Sequence, residues 1–229
     1  LVSQVYENYE LNSFEKYKSN VAKLRVLCEE QQITTVPLVF LFENGTVTSN
    51  VVKITENEGI DLIIMGTNGA SGLAKSIIGT NTVSVIKSVK IPVLSVPLHA
   101  QYKGIKEIIF TTLFREKDEN PLKEILAIAG LFGAQVKCVH VLKNRNVDII
   151  MLIEDWENRF SNTNLEFVIL DFEESIEKSI NNYIDEHQSD VLCVVKRNRS
   201  FFDRLFASSI SNNLSFHANT PTLVFHEDQ

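Results

Sequence analysis

The chain contains an internal repeat, and this repeat restricts the possible folds more than any other feature of the sequence. Residues 61–97 align with residues 190–226 without a gap, at a constant offset of 129 residues. Among the aligned identities are Asp61 with Asp190, Pro92 with Pro221 and Leu94 with Leu223. Two copies of one fold, joined near residues 97–104, are therefore predicted. A length of 229 residues is enough for two domains of about 110 residues each.

The second copy alternates short apolar runs with amphipathic segments. The runs predicted to be strands are residues 105–113, 135–142, 165–170, 190–195 and 220–225. Between the first two runs, Asn120-Pro121 predicts a helix start and Gly133 a helix end. Continuous apolar strands that alternate with helices indicate a parallel sheet covered on both faces. The second copy is therefore predicted to be a five-strand doubly wound unit.

The first copy contains fewer of these elements. Residues 37–42 correspond to the third strand, and the apolar stripe Phe14, Tyr17, Val21, Leu24 and Cys28 predicts the helix before it. The second strand has no candidate other than residues 1–5. A first strand and helix are absent, and we expect them in residues that precede the given sequence, which begins with Leu1.

The predicted fold class is therefore α/β, with two tandem, doubly wound, five-strand parallel-sheet domains of Rossmann-like type. Residues 1–100 form the first, incomplete domain, which carries a glycine-rich loop. Residues 101–229 form the second domain, in which this loop has no glycine.

The glycine-rich loop follows the fourth strand of the first copy. Gly66, Gly69 and Gly79 surround the start of a helix, and Thr80 follows the last of them. Backbone N–H groups and a helix N-terminus converge at the carboxyl end of a parallel strand. Glycine there permits positive φ and lets a phosphate approach the backbone without meeting a Cβ atom.

The sequence "GTNGASGLAKSIIGT" resembles the nucleotide-binding motif of the universal stress protein family, G-x2-G-x9-G-[S/T]. This resemblance implies binding of an adenine nucleotide, ATP or AMP, with Mg left open as a companion ion. The positions it implicates are Met65, Gly66, Gly69, Gly79, Thr80, Asn81 and Thr82. It also implies pairing of fifth strands between domains or chains, which gives an internal pseudo-dimer and leaves a homodimer open.

The second copy departs from the family pattern at every glycine. The residues aligned with Gly66, Gly69, Gly72 and Gly79 are Val195, Asn198, Phe201 and Ser208, and the family's adenine-contacting Asp aligns with Leu113. Nucleotide binding is therefore predicted for the first copy alone.

Lys196, Arg197 and Arg199 form a basic cluster that we interpret as a solvated loop, with anion binding as the alternative. Phe201, Phe202 and Phe206 are predicted to pack in the core or between domains, with a partner-facing patch as the alternative.

Composition narrows the remaining function classes. A net charge of −7 disfavours nucleic-acid binding, and no apolar run approaches the roughly 20 residues that span a bilayer. Cys28, Cys138 and Cys193 show no metal-ligand spacing and are interpreted as buried side chains in a reducing cytoplasm. The five histidines also lack metal-ligand spacing, so no metal site is predicted.

No catalytic residues are predicted. Asp61 and Asp190 precede buried strands and are interpreted as strand-start residues rather than general bases. No nucleophile with an adjacent base is recognisable. Three functions remain: a cytoplasmic stress regulator that binds ATP or AMP, a nucleotide-independent scaffold that acts through an unknown protein partner, and a nucleotide hydrolase. The first is the preferred prediction, and any ATP hydrolysis is expected to be weak and incidental.

Overall fold

A computed structural model of the chain describes residues 2–67, 79–143, 147–197 and 220–227. Side chains are described from residue 11 onward, except those of residues 147 and 148. The helices are α1 (Val2–Glu30), α2 (Val47–Glu58), α3 (Thr80–Ser88), α4 (Glu119–Phe132), α5 (Val147–Arg159) and α6 (Ile176–His187). The strands are β1 (Ile63–Gly66), β2 (Val93–Val96), β3 (Glu107–Thr111), β4 (Gln135–Leu142), β5 (Leu165–Asp171), β6 (Val191–Lys196) and β7 (Thr222–His226).

These strands form one sheet with the order β1-β2-β7-β6-β3-β4-β5. Neighbouring strands run parallel except β2 and β7, which are antiparallel. Within the second repeat the order β7-β6-β3-β4-β5 places the first strand of that repeat at the centre, as in a doubly wound sheet. The predicted α/β class and the five-strand unit of the second repeat are confirmed.

Local details of the second repeat follow its sequence closely. Gly133 ends α4 in the left-handed conformation, with φ of 64°, as predicted. The helix begins at Glu119 rather than at Pro121, because a 3-10 turn over Glu116–Asp118 leads directly into it. Asp190 accepts hydrogen bonds at Oδ2 from the backbone N–H groups of residues 106 and 107, at 2.7 and 3.0 Å. Its predicted role as a strand-start residue is confirmed.

Contacts divide the chain into two compact units, residues 1–46 and residues 47–229. In the first unit, α1 carries the predicted apolar stripe, and Phe14 and Tyr17 contact Phe42 at ring-centroid distances of 5.3 and 5.2 Å. Two predictions for this unit are wrong. Residues 2–5 lie in α1, and residues 37–42 lie in no strand. A strand requires a neighbour, and the helical conformation of residues 2–5 removes the neighbour predicted for residues 37–42.

The second unit contains the remaining elements of both repeats, joined through their fifth strands. Val93, Leu94 and Ser95 of β2 lie opposite Val224, Leu223 and Thr222 of β7. This antiparallel pairing confirms the fifth-strand contact implied by the resemblance. The division into domains 1–100 and 101–229 stays a prediction.

The core of the second unit has two layers, one on each face of the sheet. One layer joins residues of both repeats: Ile63, Val85, Ile86, Val89 and Val93 from the first, and Ile109, Val139, Ile180, Tyr183, Ile184, Leu192, Val194 and Val224 from the second. On the other face, α4 and α5 cover β3, β4 and β6, and Trp156 is 1% exposed there. Apolar side chains of each repeat are therefore covered in part by side chains of the other repeat.

Candidate functional site

The carboxyl end of β1 lies beside the amino end of α3. Thr82 in the first turn of α3 donates its hydroxyl hydrogen to the carbonyl oxygen of Gly66, the last residue of β1, at 3.3 Å. Gly79 precedes the helix, so this bond brings the first and last glycine turns of the motif together. Residues 68–78, which include Gly69, lie outside the described part of the chain.

The two described glycines of the motif are not required by backbone conformation. Gly79 has φ of −57° and ψ of 147°, and Gly66 is not among the residues with positive φ. The expectation of positive φ is therefore wrong at these two positions. A Cβ atom on Gly66 would meet no atom of the described residues within 4 Å. The same holds for Gly59, Gly104, Gly130 and Gly133, so the open space at Gly66 is compatible with the phosphate argument but does not distinguish this glycine.

The amino end of α3 presents backbone donors. Its first helical hydrogen bond runs from Val83 N–H to Gly79 C=O, at 3.1 Å, so the N–H groups of residues 80–82 precede the helical ladder. Gly79 supplies no side-chain cap, and no acidic residue lies in the first turn. Positive partial charge at a helix N-terminus favours an anion.

The side chains near this turn differ in their exposure to solvent and in their hydrogen bonds. Thr80 and Asn81 are exposed, and Met65 on β1 is half-buried. Thr82 is 1% exposed, and its hydroxyl already bonds Gly66. The role of Thr82 in this structure is to hold the two turns together.

The matching end of β6 in the second repeat is filled. Val195, which aligns with Gly66, is 4% exposed and lies opposite Phe225 of β7. Leu113 occupies the position of the family's Asp. It is 40% exposed and has no carboxylate that could contact a nucleotide. Asn198, Phe201, Phe202, Phe206 and Ser208 lie outside the described residues.

A fully buried carboxylate lies at the carboxyl end of β3, and the sequence reasoning missed it. Asp118 is 0% exposed, and its Oδ2 accepts hydrogen bonds from Thr112 Oγ1, Leu113 N and Arg115 N at 2.9, 3.1 and 3.3 Å. Its Oδ1 accepts a bond from the guanidinium of Arg197. The partners lie 3 to 79 positions away, and the charged partner Arg197 is the most distant, so no local sequence signal identified Asp118.

The basic cluster of the second repeat is not a solvated loop where the structure describes it. The Arg197 side chain is 17% exposed and is paired with Asp118. Lys196 Nζ donates to the carbonyl oxygen of Ile86, at 3.0 Å. The solvated-loop interpretation is therefore wrong for these two residues, because both cations have partners in the protein. Arg199 lies outside the described residues.

Comparison with known proteins identifies the family. Residues 3–97 match the model of the Universal stress protein family. The first repeat therefore carries the domain of this family. A universal stress protein of Methanocaldococcus jannaschii is 44% identical over 52 residues, which make up 23% of this chain. The match spans only 32% of that relative's own length.

Solved structures agree with the fold. A universal stress protein from Archaeoglobus fulgidus aligns with a TM-score of 0.65 and 16% identity, over 91% of this chain and 77% of that one. A universal-stress-protein candidate from Pseudomonas aeruginosa aligns with a TM-score of 0.64 and 13% identity, over 91% and 79% of the two chains. These alignments show that the chain has the tandem Rossmann-like fold.

The described residues offer few other reactive or metal-binding groups. Burial raises the pKa of the Cys138 and Cys193 thiols well above the ordinary value, so both are inert core side chains as predicted. Cys28 is half-buried. The described residues contain no group of three His, Cys, Asp or Glu side chains able to hold a metal, and none of their helices is long and apolar enough to cross a membrane.

His226 lies at the end of β7 and is 9% exposed. Burial lowers the pKa of His226 below its ordinary value, and the nearby Lys196 ammonium lowers it further. A hydrogen bond from Nε2 to the carbonyl oxygen of Ile86, at 2.8 Å, opposes this shift. The imidazole is therefore neutral in the folded protein at neutral pH.

We expect the free energy of unfolding of the protein to decrease as the pH falls below about 6.5. In that range the unfolded chain protonates His226 before the folded chain does, so protons favour unfolding. Urea denaturation between pH 5 and pH 8 measures this effect. A His226→Gln variant keeps an N–H donor but does not titrate, so its curve should be flatter than that of the wild type. Equal slopes for the two proteins would contradict the assignment.

Proposed function

We propose that the chain binds an adenine nucleotide, ATP or AMP, at the carboxyl end of β1 and the amino end of α3. The open space at the Gly66 backbone carries this proposal, because a phosphate approaches closely only where no Cβ atom intervenes. The uncapped amino end of α3 adds backbone donors beside that space. The match to the family model and the G-x2-G-x9-G-T spacing support the same ligand class.

The residues have distinct roles in this proposal. Gly66 and Gly79 leave the approach open, and the backbone N–H groups of Thr80 and Asn81 donate to the phosphates. Thr82 holds the two turns at their distance through its bond to Gly66. The proposed site also includes Met65, which is half-buried, and Gly69. Any Mg would arrive with ATP.

The second repeat supports the proposal by contrast. Its Val195 fills the position of Gly66, and the neighbouring Arg197 is paired with Asp118. The two repeats share one sheet, so the absence of glycine in the second shows that the architecture itself does not demand Gly66. We therefore propose that each chain binds one nucleotide. We further propose a regulatory role in a stress response and a cytoplasmic location.

Isothermal titration calorimetry with ATP, AMP and GTP tests this proposal on the wild type and a Gly66→Val variant. The substitution introduces the residue that the second repeat carries, into space that the protein leaves open, so folding should be unaffected. We expect ATP or AMP affinity to fall at least about tenfold, since the valine methyl groups occupy the approach to the backbone. GTP should bind more weakly than ATP to the wild type.

Gly130→Val is the matched control. Gly130 lies on α4, is exposed, and also has nothing within 4 Å of a Cβ atom, so this variant should bind nucleotide as the wild type does. A wild type that binds none of the three nucleotides would refute the proposal and favour a scaffold function. Equal affinity of the wild type and Gly66→Val would place the nucleotide elsewhere.

A further inference from the structure

The carboxyl end of α3 is held by two side chains of the second repeat. The carbonyl oxygen of Ile86, in the last turn of the helix, accepts bonds from Lys196 Nζ at 3.0 Å and His226 Nε2 at 2.8 Å. Lys196 and His226 are the last residues of β6 and β7 and lie opposite each other in that ladder. The first-repeat helix therefore ends on a pair of donors supplied by the second repeat.

These bonds matter because α3 is short and its end is buried. The helix has nine residues, fewer than the roughly 12 that an isolated helix needs in water. The carbonyl of Ile86 belongs to the last turn, where helices leave carbonyl groups without helical partners. The Ile86 side chain is 0% exposed, so little water is available to replace a lost donor. A cation at this end also complements the helix dipole.

The donors are themselves anchored. Arg197 follows Lys196 directly and is paired with the fully buried Asp118, which fixes the chain at the point where Lys196 leaves it. His226 is 9% exposed on β7, whose neighbours are β6 on one side and β2 on the other. The polar atoms that hold α3 thus belong to side chains whose backbone is fixed by an ion pair or by neighbouring strands.

We propose that Lys196 and His226 are positioning residues that set the nucleotide affinity of the first repeat by holding α3. This inference rests on the proposed function, since the amino end of α3 carries the candidate donors and Thr82 joins it to Gly66. A nine-residue helix is about 13 Å long and moves as one piece. A shift at Ile86 therefore displaces the N–H groups of residues 80–82 from the phosphate position. The second repeat, which lacks the glycine motif, acts here as the support of the site.

The test combines ATP titration with amide hydrogen exchange in the wild type and in Lys196→Met, Lys196→Arg and Lys123→Met. Lys196→Met keeps the apolar stem and removes the donor, and we expect exchange of the α3 amides to become at least about tenfold faster. ATP affinity should fall about fivefold or more. Lys196→Arg retains a cationic donor and should restore both properties. Lys123 is exposed on α4, so Lys123→Met should match the wild type.

The two readouts separate the possible failures. Unchanged exchange in Lys196→Met would overturn the positioning role, whatever the affinity. Faster exchange together with wild-type ATP affinity would show that Lys196 stabilises α3 without affecting the nucleotide site. This outcome also overturns the inference. A wild type that binds no ATP would refute the proposed function itself and the inference with it. Loss of affinity that Lys196→Arg fails to restore would indicate general structural damage and would count against a positioning role.

Discussion

Replacing Asp118 with asparagine is expected to lower the free energy of unfolding by roughly 3–5 kcal/mol. The carboxylate is 0% exposed and accepts three hydrogen bonds at Oδ2 and the Arg197 guanidinium at Oδ1. An asparagine side chain has one oxygen and one NH₂ group, so either orientation points donors at donors. The Arg197 charge would also remain without its partner.

Urea denaturation followed by tryptophan fluorescence measures this loss, because the sequence contains a single tryptophan. Trp156 is 1% exposed and packs edge-on against Phe114, at 5.3 Å between ring centroids. Phe114 lies in the loop that Asp118 organises, between Leu113 and Arg115. Asp155→Asn is the control, since that carboxylate is 59% exposed and its bond to Arg159 should contribute below about 1 kcal/mol. Equal losses in the two variants would contradict a special role for Asp118.

The second repeat could be predicted from sequence because its strands are buried on both faces. The predicted run 135–142 coincides with β4, and the other four predicted runs overlap β3, β5, β6 and β7. Continuous apolar runs between turn residues carry that information locally. The start of α4 was misplaced because its 3-10 turn depends on Asp118, whose side chain accepts from Arg115 N.

The first unit shows the limit of local patterns. Residues 37–42 have the composition of a strand, but strand formation also needs a partner, and the sequence pattern does not reveal whether one is present. The stripe from Phe14 to Cys28 predicted its helix correctly, since the intrahelical bonds of α1 need no partner.

The candidate site could be located by sequence but not fully explained. The spacing of the glycines identified the strand end and the helix start, and the Thr82–Gly66 bond agrees with that placement. The contacts of Lys196, Arg197 and His226 remained hidden because their partners lie 79 to 140 residues away. In the folded protein, Lys196 and Arg197 of the basic cluster each bond to another part of the protein and are not fully solvated.

The continuous sheet and shared core also predict how the two repeats unfold. Val85 and Ile86 of α3 are 0% exposed and pack in the layer that contains Ile180, Ile184 and other side chains of the second repeat. Truncating Ile86 leaves a cavity in a core that belongs to both repeats. We expect Ile86→Ala to lower the free energy of unfolding by roughly 2–5 kcal/mol.

The measurement is urea denaturation of Ile86→Ala, followed by Trp156 fluorescence and by far-ultraviolet circular dichroism. Trp156 lies in the second repeat, in the core layer on the opposite face of the sheet from Ile86. If the repeats unfold together, its transition shifts to lower urea as much as the dichroism does. Ile64→Ala serves as the control, because Ile64 on β1 is 64% exposed and should change stability by less than about 0.5 kcal/mol. An early dichroism transition with unshifted fluorescence would show instead that the first repeat unfolds alone, and that the β2–β7 pairing joins the repeats without coupling them.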